Sequence, residues 1–382
     1  MTESVRNEPR IDPHEILDGI REWVEVETPS ADGQAVNVLV DRVQAQVAQL
    51  GMTVDRFPGR DGFGDTLRAR SPWGGEGPGI LVLAHLDTVW DKGTLDRRPF
   101  TVDGDRVYGP GIYDMKGGGH LAYYAYRHLV RQGRETALPI TFLFVPEEEV
   151  GSPTSRAHIE AAAREARYVL VLEPGRAGNG VVTSRKAWGR FVMTVTGVSA
   201  HAGSGHEHGR SAVVELSRQI LRVEAMTDYA RGITTNVGVI AAGGPGRGNV
   251  VPALATAEID LRAPDEATAD EMVGRILALQ AIGTGVTVTV EGGLNRPPFV
   301  RHDGVARLYD LARQAAADLG MDLPETSTGG VSDGNFAAAL GVPTLDGLGV
   351  LGAGAHAEHE HLLFSSLEPR TRLLLRLFES LT

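Results

Sequence analysis

The stretch ILVLAHLDT, Ile80–Thr88, followed after a turn-rich interval by YGPGIYDMKGG, Tyr108–Gly118, decides how this chain is organised. Ile80–Ala84 is a short apolar run bounded by Gly79 and the polar HLD, the pattern of a strand buried on both faces of a parallel sheet. His85 stands at its C-terminal edge, where open α/β sheets collect ligands. An imidazole there and the Asp114 carboxylate from the second stretch are placed as metal donors. Gly117–Arg131 opens with glycines and turns amphipathic, which predicts a helix starting beside Asp114.

Outward from this centre the same grammar repeats. Leu138–Val145 is a second buried-strand run that ends in PEEEVGS, and Tyr168–Leu172 is a third that ends in Glu173. Helical patterns cover Asp12 to about Glu27, with Pro13 near the start, and Gln34–Leu50. The fold class expected is α/β, a central and mostly parallel twisted sheet with helices on both faces. From Gly189 to Glu291 the order becomes strand, helix, strand, strand, helix, strand, the signature of a ferredoxin-like α+β layer. The expected division is a first catalytic part at 1–187, an inserted domain at 188–297 and a second catalytic part at 298–382. A last helix is announced by Ser365 with Glu368 as a capping box.

A chain of 382 residues suggests roughly two domains. With 42% hydrophobic and 23% charged residues it has the balance of an ordinary globular protein. Its net charge of −12 and lack of a basic cluster argue against nucleic acid, acidic polymers or an anionic membrane as partners. The absence of cysteine excludes disulfides and thiolate metal sites, so any metal must be held by His and carboxylate. No signal peptide and no long apolar segment is read, and a cytoplasmic location is the expectation.

The triplet Glu147, Glu148 and Glu149 sets three like charges at a strand end, which raises pKa values or demands a cation opposite. His85, Asp114, a member of the triplet, Glu173 and a late histidine supply nitrogen and oxygen donors without sulfur. That inventory suits zinc, with cobalt or manganese as substitutes, in a two-metal hydrolytic centre. One further carboxylate must stand beside the donors and take a proton from water. His356 follows the glycine-rich LGAGA, while His359 and His361 in HAEHEHL are its rivals.

HLDTV, GPGIYDMKGG, PEEEVGS, the Glu-Pro of LEPG, SAHAG and GAGAH together resemble, in order and approximate spacing, the dizinc exopeptidase and deacylase family. Within it the chain is most similar to the glutamate carboxypeptidase type. The resemblance implies two Zn2+ per subunit, His85 and Glu173 holding one, Glu149 and His356 the other, with Asp114 bridging. It implies that Asp87 orients His85, that Glu148 is the general base, and that His201 reaches the active site of a partner subunit in a homodimer formed through the inserted domain. Arg296, Arg262 and Asn249 stand where the family's carboxypeptidases bind the substrate's free carboxylate. The implied activity is hydrolysis of an amide bond that releases a C-terminal amino acid, with glutamate as the expected residue, from a peptide or N-acyl conjugate. Met115 departs from the family type, which has an acidic residue there, and a cis peptide after Asp114 is a further family trait.

Three other readings stand beside this one. An N-acyl-amino-acid deacylase would use the same donors. A serine hydrolase would use Ser332 in GGVSDG as a nucleophile elbow, with Asp346 and His356 completing a triad, although the polar PETSTGG before it is no buried strand. A non-catalytic binding protein would keep the fold alone. GGPGRG, Gly243–Gly248, reads as a hairpin loop rather than a dinucleotide site, and His120, His128, His206 and His208 carry no expected role.

Overall fold

In the computed structural model, which describes residues 10–244 and 246–382, the chain divides into two compact units. The first comprises residues 10–184, 301–327 and 332–382 within its bounds; the second comprises 185–300 with 328–331. Near the two ends of the 185–300 segment, Arg185 and Phe299 pair backbone to backbone.

The first unit is built on a six-stranded sheet ordered Thr53–Phe57, Thr66–Arg70, Ile140–Val145, Gly79–His85, Ala166–Val171, Thr344–Leu345. Gly79–His85 pairs in parallel with both neighbours, and only Thr66–Arg70 runs against the rest. Every residue of Gly79–His85 is buried. The period of two explains how one apolar run serves two cores. Ile80, Val82 and Ala84 join the larger cluster with the helices Pro13–Val24, Gly33–Gln49, Gly117–Arg131, Asp303–Asp318 and Leu367–Ser380. Leu81 and Leu83 join a smaller cluster with the helices Arg156–Arg164 and Gly334–Ala339. Covered on both faces, the central strands leave their carboxyl ends as the place where polar side chains can gather.

A small antiparallel sheet, Gly352–Ala353, His361–Leu363, Arg106–Tyr108, Thr101–Asp103, was not legible from strands of two or three residues. It sets the turn carrying His356 beside the strand that leads to Asp114. The last helix is not opened by the expected capping box. Ser365 donates to Asp105, Glu368 pairs with Arg372, and the helix Leu367–Ser380 follows directly from a tight turn at Phe364–Ser366.

The second unit holds a four-stranded antiparallel sheet ordered Thr234–Ala242, Leu254–Ala263, Ala187–Thr196, Thr287–Arg296, with helices Ala212–Glu224 and Glu266–Leu277. With the intervening helices, this is the ferredoxin-like order. Phe191, Met193 and Val195 pack with Leu216, Val223, Met272 and Ile276, while Arg190, Val192 and Thr196 between them are exposed. Among the described residues no helix is long and apolar enough to cross a membrane.

Candidate metal centre

The donors named from the sequence in the first unit meet. His85 leaves its strand end with Nε2 3.1 Å from Asp114 Oδ1 and 4.0 Å from Glu173 Oε1. His356 brings its Nε2 to 2.9 Å from Glu149 Oε2 and 3.4 Å from Asp114 Oδ2. Asp114 therefore turns one oxygen to each imidazole. His85, Glu148 and Glu173 each offer an atom within 4.8 Å of the others, and so do His85, Asp114 and Glu149.

Local conformation fixes these positions. The peptide after Asp114 is cis, and Gly111 adopts a left-handed φ of 70° at the head of the turn. His356 itself has φ 61°, sparsely populated by residues with a side chain and found where surrounding contacts impose it.

The glutamate triplet divides its labour. Glu147 is fully buried, and its Oε1 accepts N–H donors from Thr154 and Ser155 and the Thr154 hydroxyl. It anchors the turn, so that Glu148 and Glu149 face the histidines. Asp87 acts differently from a simple support for imidazole. His85 Nδ1 lies 3.0 Å from the Asp87 backbone carbonyl and 3.4 Å from its carboxylate. The carboxylate accepts the N–H groups of Glu148 and Glu149 and the Ser30 hydroxyl. It thereby ties the triplet to the His85 strand.

The electrostatics are those of a cation site. Burial pushes Glu149 up to about 7, against the lowering effect of His356. Asp114 would be raised by burial, but hydrogen bonds with His356 and His85 hold it well below the carboxylate range. Contacts with Asp114 and Glu149 lift His356 to about 10. Burial opposes charging of His85, yet Asp114 and Asp87 raise it well above an ordinary imidazole. Among the described residues, Glu149 Oε1 is buried without a hydrogen-bond partner. An orphaned carboxylate oxygen among paired imidazoles and carboxylates fits a divalent cation, since a buried charge otherwise requires a partner.

Several contributors were invisible in the sequence. Glu360, hidden between two histidines, accepts from Gly111, Tyr113, Asp114 and Trp90. Lys116 is buried, donates to the Val26 carbonyl at 2.7 Å, and is lowered by burial to about 7. The buried Arg370 donates to the carbonyls of Gly347, Gly349 and Asn179, fixing a turn whose Gly349 N–H donates to the Glu173 carbonyl. Of the rival histidines, His361 is buried with Nδ1 on the His359 carbonyl and its ring against Tyr108.

The nucleophile-elbow reading is overturned. Ser332 is fully buried, its hydroxyl donates directly to Asp346 at 2.6 Å with no imidazole between, and His356 is engaged with Asp114 and Glu149.

The second unit gathers the remaining residues into two pairs. His201 and Asn249 are neighbours across the strands Ala200–His201 and Val250–Val251, where the Ala202 N–H donates to the Asn249 carbonyl. His201 Nδ1 accepts the N–H groups of Gly203 and Ser204, which leaves Nε2 as its outward nitrogen. Arg262 and Arg296 flank Trp188 in register. Arg262 is engaged by Asp260 at 2.9 Å and lies over the Trp188 ring, and Arg296 is buried, so Asn249 is the exposed member of the three.

This combination defines a metal-dependent hydrolase of the peptidase and amidohydrolase class. The chain belongs to the peptidase family M20/M25/M40, whose model matches residues 81–380. It is 33% identical over 365 residues to carboxypeptidase G2 of Pseudomonas sp. (strain RS-16), covering 93% of this chain and 86% of that one. Its fold is shared with aminopeptidase PepT from Bacillus cereus ATCC 10987, at a TM-score of 0.77 and 21% identity over 96% of this chain and 98% of that one. It is shared equally with the M20 family metallo-carboxypeptidase Sso-CP2 from Sulfolobus solfataricus, at a TM-score of 0.76 and 17% identity over 96% and 99%.

Proposed function

We propose that the protein is a two-zinc carboxypeptidase that hydrolyses an amide bond to release a C-terminal amino acid, glutamate being the favoured product. The observation that carries this reading is Asp114, whose two carboxylate oxygens face two different imidazoles, His85 and His356. His85 and Glu173 would hold one cation, Glu149 and His356 the other, with Asp114 shared. A pair of divalent cations supplies Lewis acidity and lowers the pKa of water toward neutrality. Glu148, beside His85 and Glu173 but assigned to neither position, takes the proton from the attacking water and returns it to the leaving amine. Asp87 keeps Glu148 in reach of the His85 strand through its backbone N–H.

The similarity to carboxypeptidase G2 supports recognition of a free carboxylate. That role is assigned to Arg262, Arg296 and Asn249, with Arg262 exchanging Asp260 for the substrate. His201 is assigned to the oxyanion of a neighbouring copy's substrate. The unpaired edge strand Thr234–Ala242, with Val239 54% and Ile240 61% exposed, supports a homodimer formed through this sheet. The test is amino acid release from dipeptides and N-acyl amino acids with the terminal residue varied, with and without chelator. Chelator-sensitive release, fastest from substrates with C-terminal glutamate, is the expected result. Hydrolysis that survives metal removal would overturn the proposal.

A further inference from the structure

Resting on the two-cation reading, we infer that Glu360 is a positioning residue that acts chiefly on the second cation position, the one that needs His356, by clamping the turn that carries Asp114 to the turn that carries His356. The donors of the proposed centre differ in how they are held. His85 and the residue before Glu173 belong to or adjoin strands paired within the six-stranded sheet, and their places follow from that sheet. Asp114 and His356 lie on turns: that of His356 is flanked by strands of two and three residues, and that of Asp114 follows a three-residue strand and leads into the helix Gly117–Arg131.

Glu360 joins the two. It sits four positions after His356, in the turn between Gly352–Ala353 and His361–Leu363, where its N–H donates to the Ala357 carbonyl. Its side chain is fully buried and reaches back some 250 positions. Oε1 accepts the backbone N–H of Tyr113 at 3.0 Å and of Asp114 at 3.2 Å. Oε2 accepts the Gly111 N–H at 3.0 Å and Trp90 Nε1 at 2.7 Å. Four donors thus converge on one carboxylate, which replaces the partners that three amides of one turn would find in a helix or a sheet. Because the acceptor belongs to the His356 turn and three donors to the Asp114 turn, this contact sets the separation of those two side chains.

An amide in place of the carboxylate presents N–H where a backbone or indole N–H already points, so E360Q breaks half the clamp without changing its size. W90F removes one donor and leaves the carboxylate. The experiment titrates metal-free parent, E360Q and W90F with Co2+ alone, counting bound metal by mass spectrometry and following the visible Co2+ spectrum at each equivalent. The parent should take up two equivalents. E360Q should weaken the second by roughly 10–100-fold, the loss typical of outer partners to metal donors, and the first, which shares Asp114 but not His356, by a smaller factor. W90F should weaken the second by a smaller factor.

Equal weakening of both equivalents in E360Q, or two equivalents bound as in the parent, overturns the assignment. Should E360Q fail to fold, W90F decides: a parental second affinity sinks the inference. A parent that binds fewer than two equivalents removes the two-cation reading itself, and the clamp with it. Parental two-site binding with unaltered E360Q removes the clamp alone.

Discussion

The two principal sheets differ in how they are covered, and the difference separates chemistry from association. In the six-stranded sheet, alternate residues of the central strand Gly79–His85 enter two different cores, so neither face of that strand is left to water. Its strands end in His85 and, two to four residues beyond, in the glutamates of the triplet and Glu173. In the four-stranded sheet, alternate residues of Ala187–Thr196 are buried and open, and Thr234–Ala242 stands at one edge, with no further strand beside it among the described residues. A doubly covered sheet confines polar groups to its ends and holds them still. A half-covered one keeps a face and an edge on which another surface can settle.

The largest expected effect tests the chemistry at the covered sheet's ends. Glu148→Ala should lower kcat by roughly 10²–10⁴-fold while the bound metal, measured by mass spectrometry, stays at the parental level. A loss of metal instead would make Glu148 a ligand. Next come the cores. Leu83→Ala should cost about 2–5 kcal/mol and Phe191→Ala about 3–5 kcal/mol in denaturant unfolding, since both side chains are almost completely buried.

The edge gives an effect on assembly rather than stability. Ile240→Lys should shift the protein toward a monomer in sedimentation velocity, with the unfolding midpoint little changed. An unaltered oligomeric state would remove the edge strand from the interface.

Acid sensitivity belongs to the covered region. His120, buried against Trp23, is lowered by burial to about 3 from an ordinary 6.5. Between those values the unfolded chain binds a proton that the folded chain refuses, so stability falls as pH falls through that window. His120→Leu should move the acid-unfolding midpoint to lower pH. The smallest effect completes the contrast: Val192→Ala, next to Phe191 but 42% exposed, should change stability by no more than about 0.5 kcal/mol.

The sheet and its strand-end donors were legible because an apolar run of five to eight residues that stops at His or Glu carries its own meaning. His85 and Glu173 could be read that way, and the ferredoxin-like order followed from alternating periods. Glu360 could not. Its role depends on backbone N–H groups far away in the chain, and its neighbours His359 and His361 drew the eye as ligands. The triplet announced its charge but not that Glu147 turns inward to Thr154 and Ser155. The direct bond between Ser332 and Asp346 was likewise hidden, since chain order alone cannot say whether an imidazole stands between a serine and an aspartate.

The turn bearing His356 follows its partners Asp114 and Glu149 at a long distance in the chain. During synthesis the early strands emerge from the ribosome with an incomplete set of donors. On the proposed ligand set, full capture of metal would wait until His356 has been made, long after the strand that holds His85.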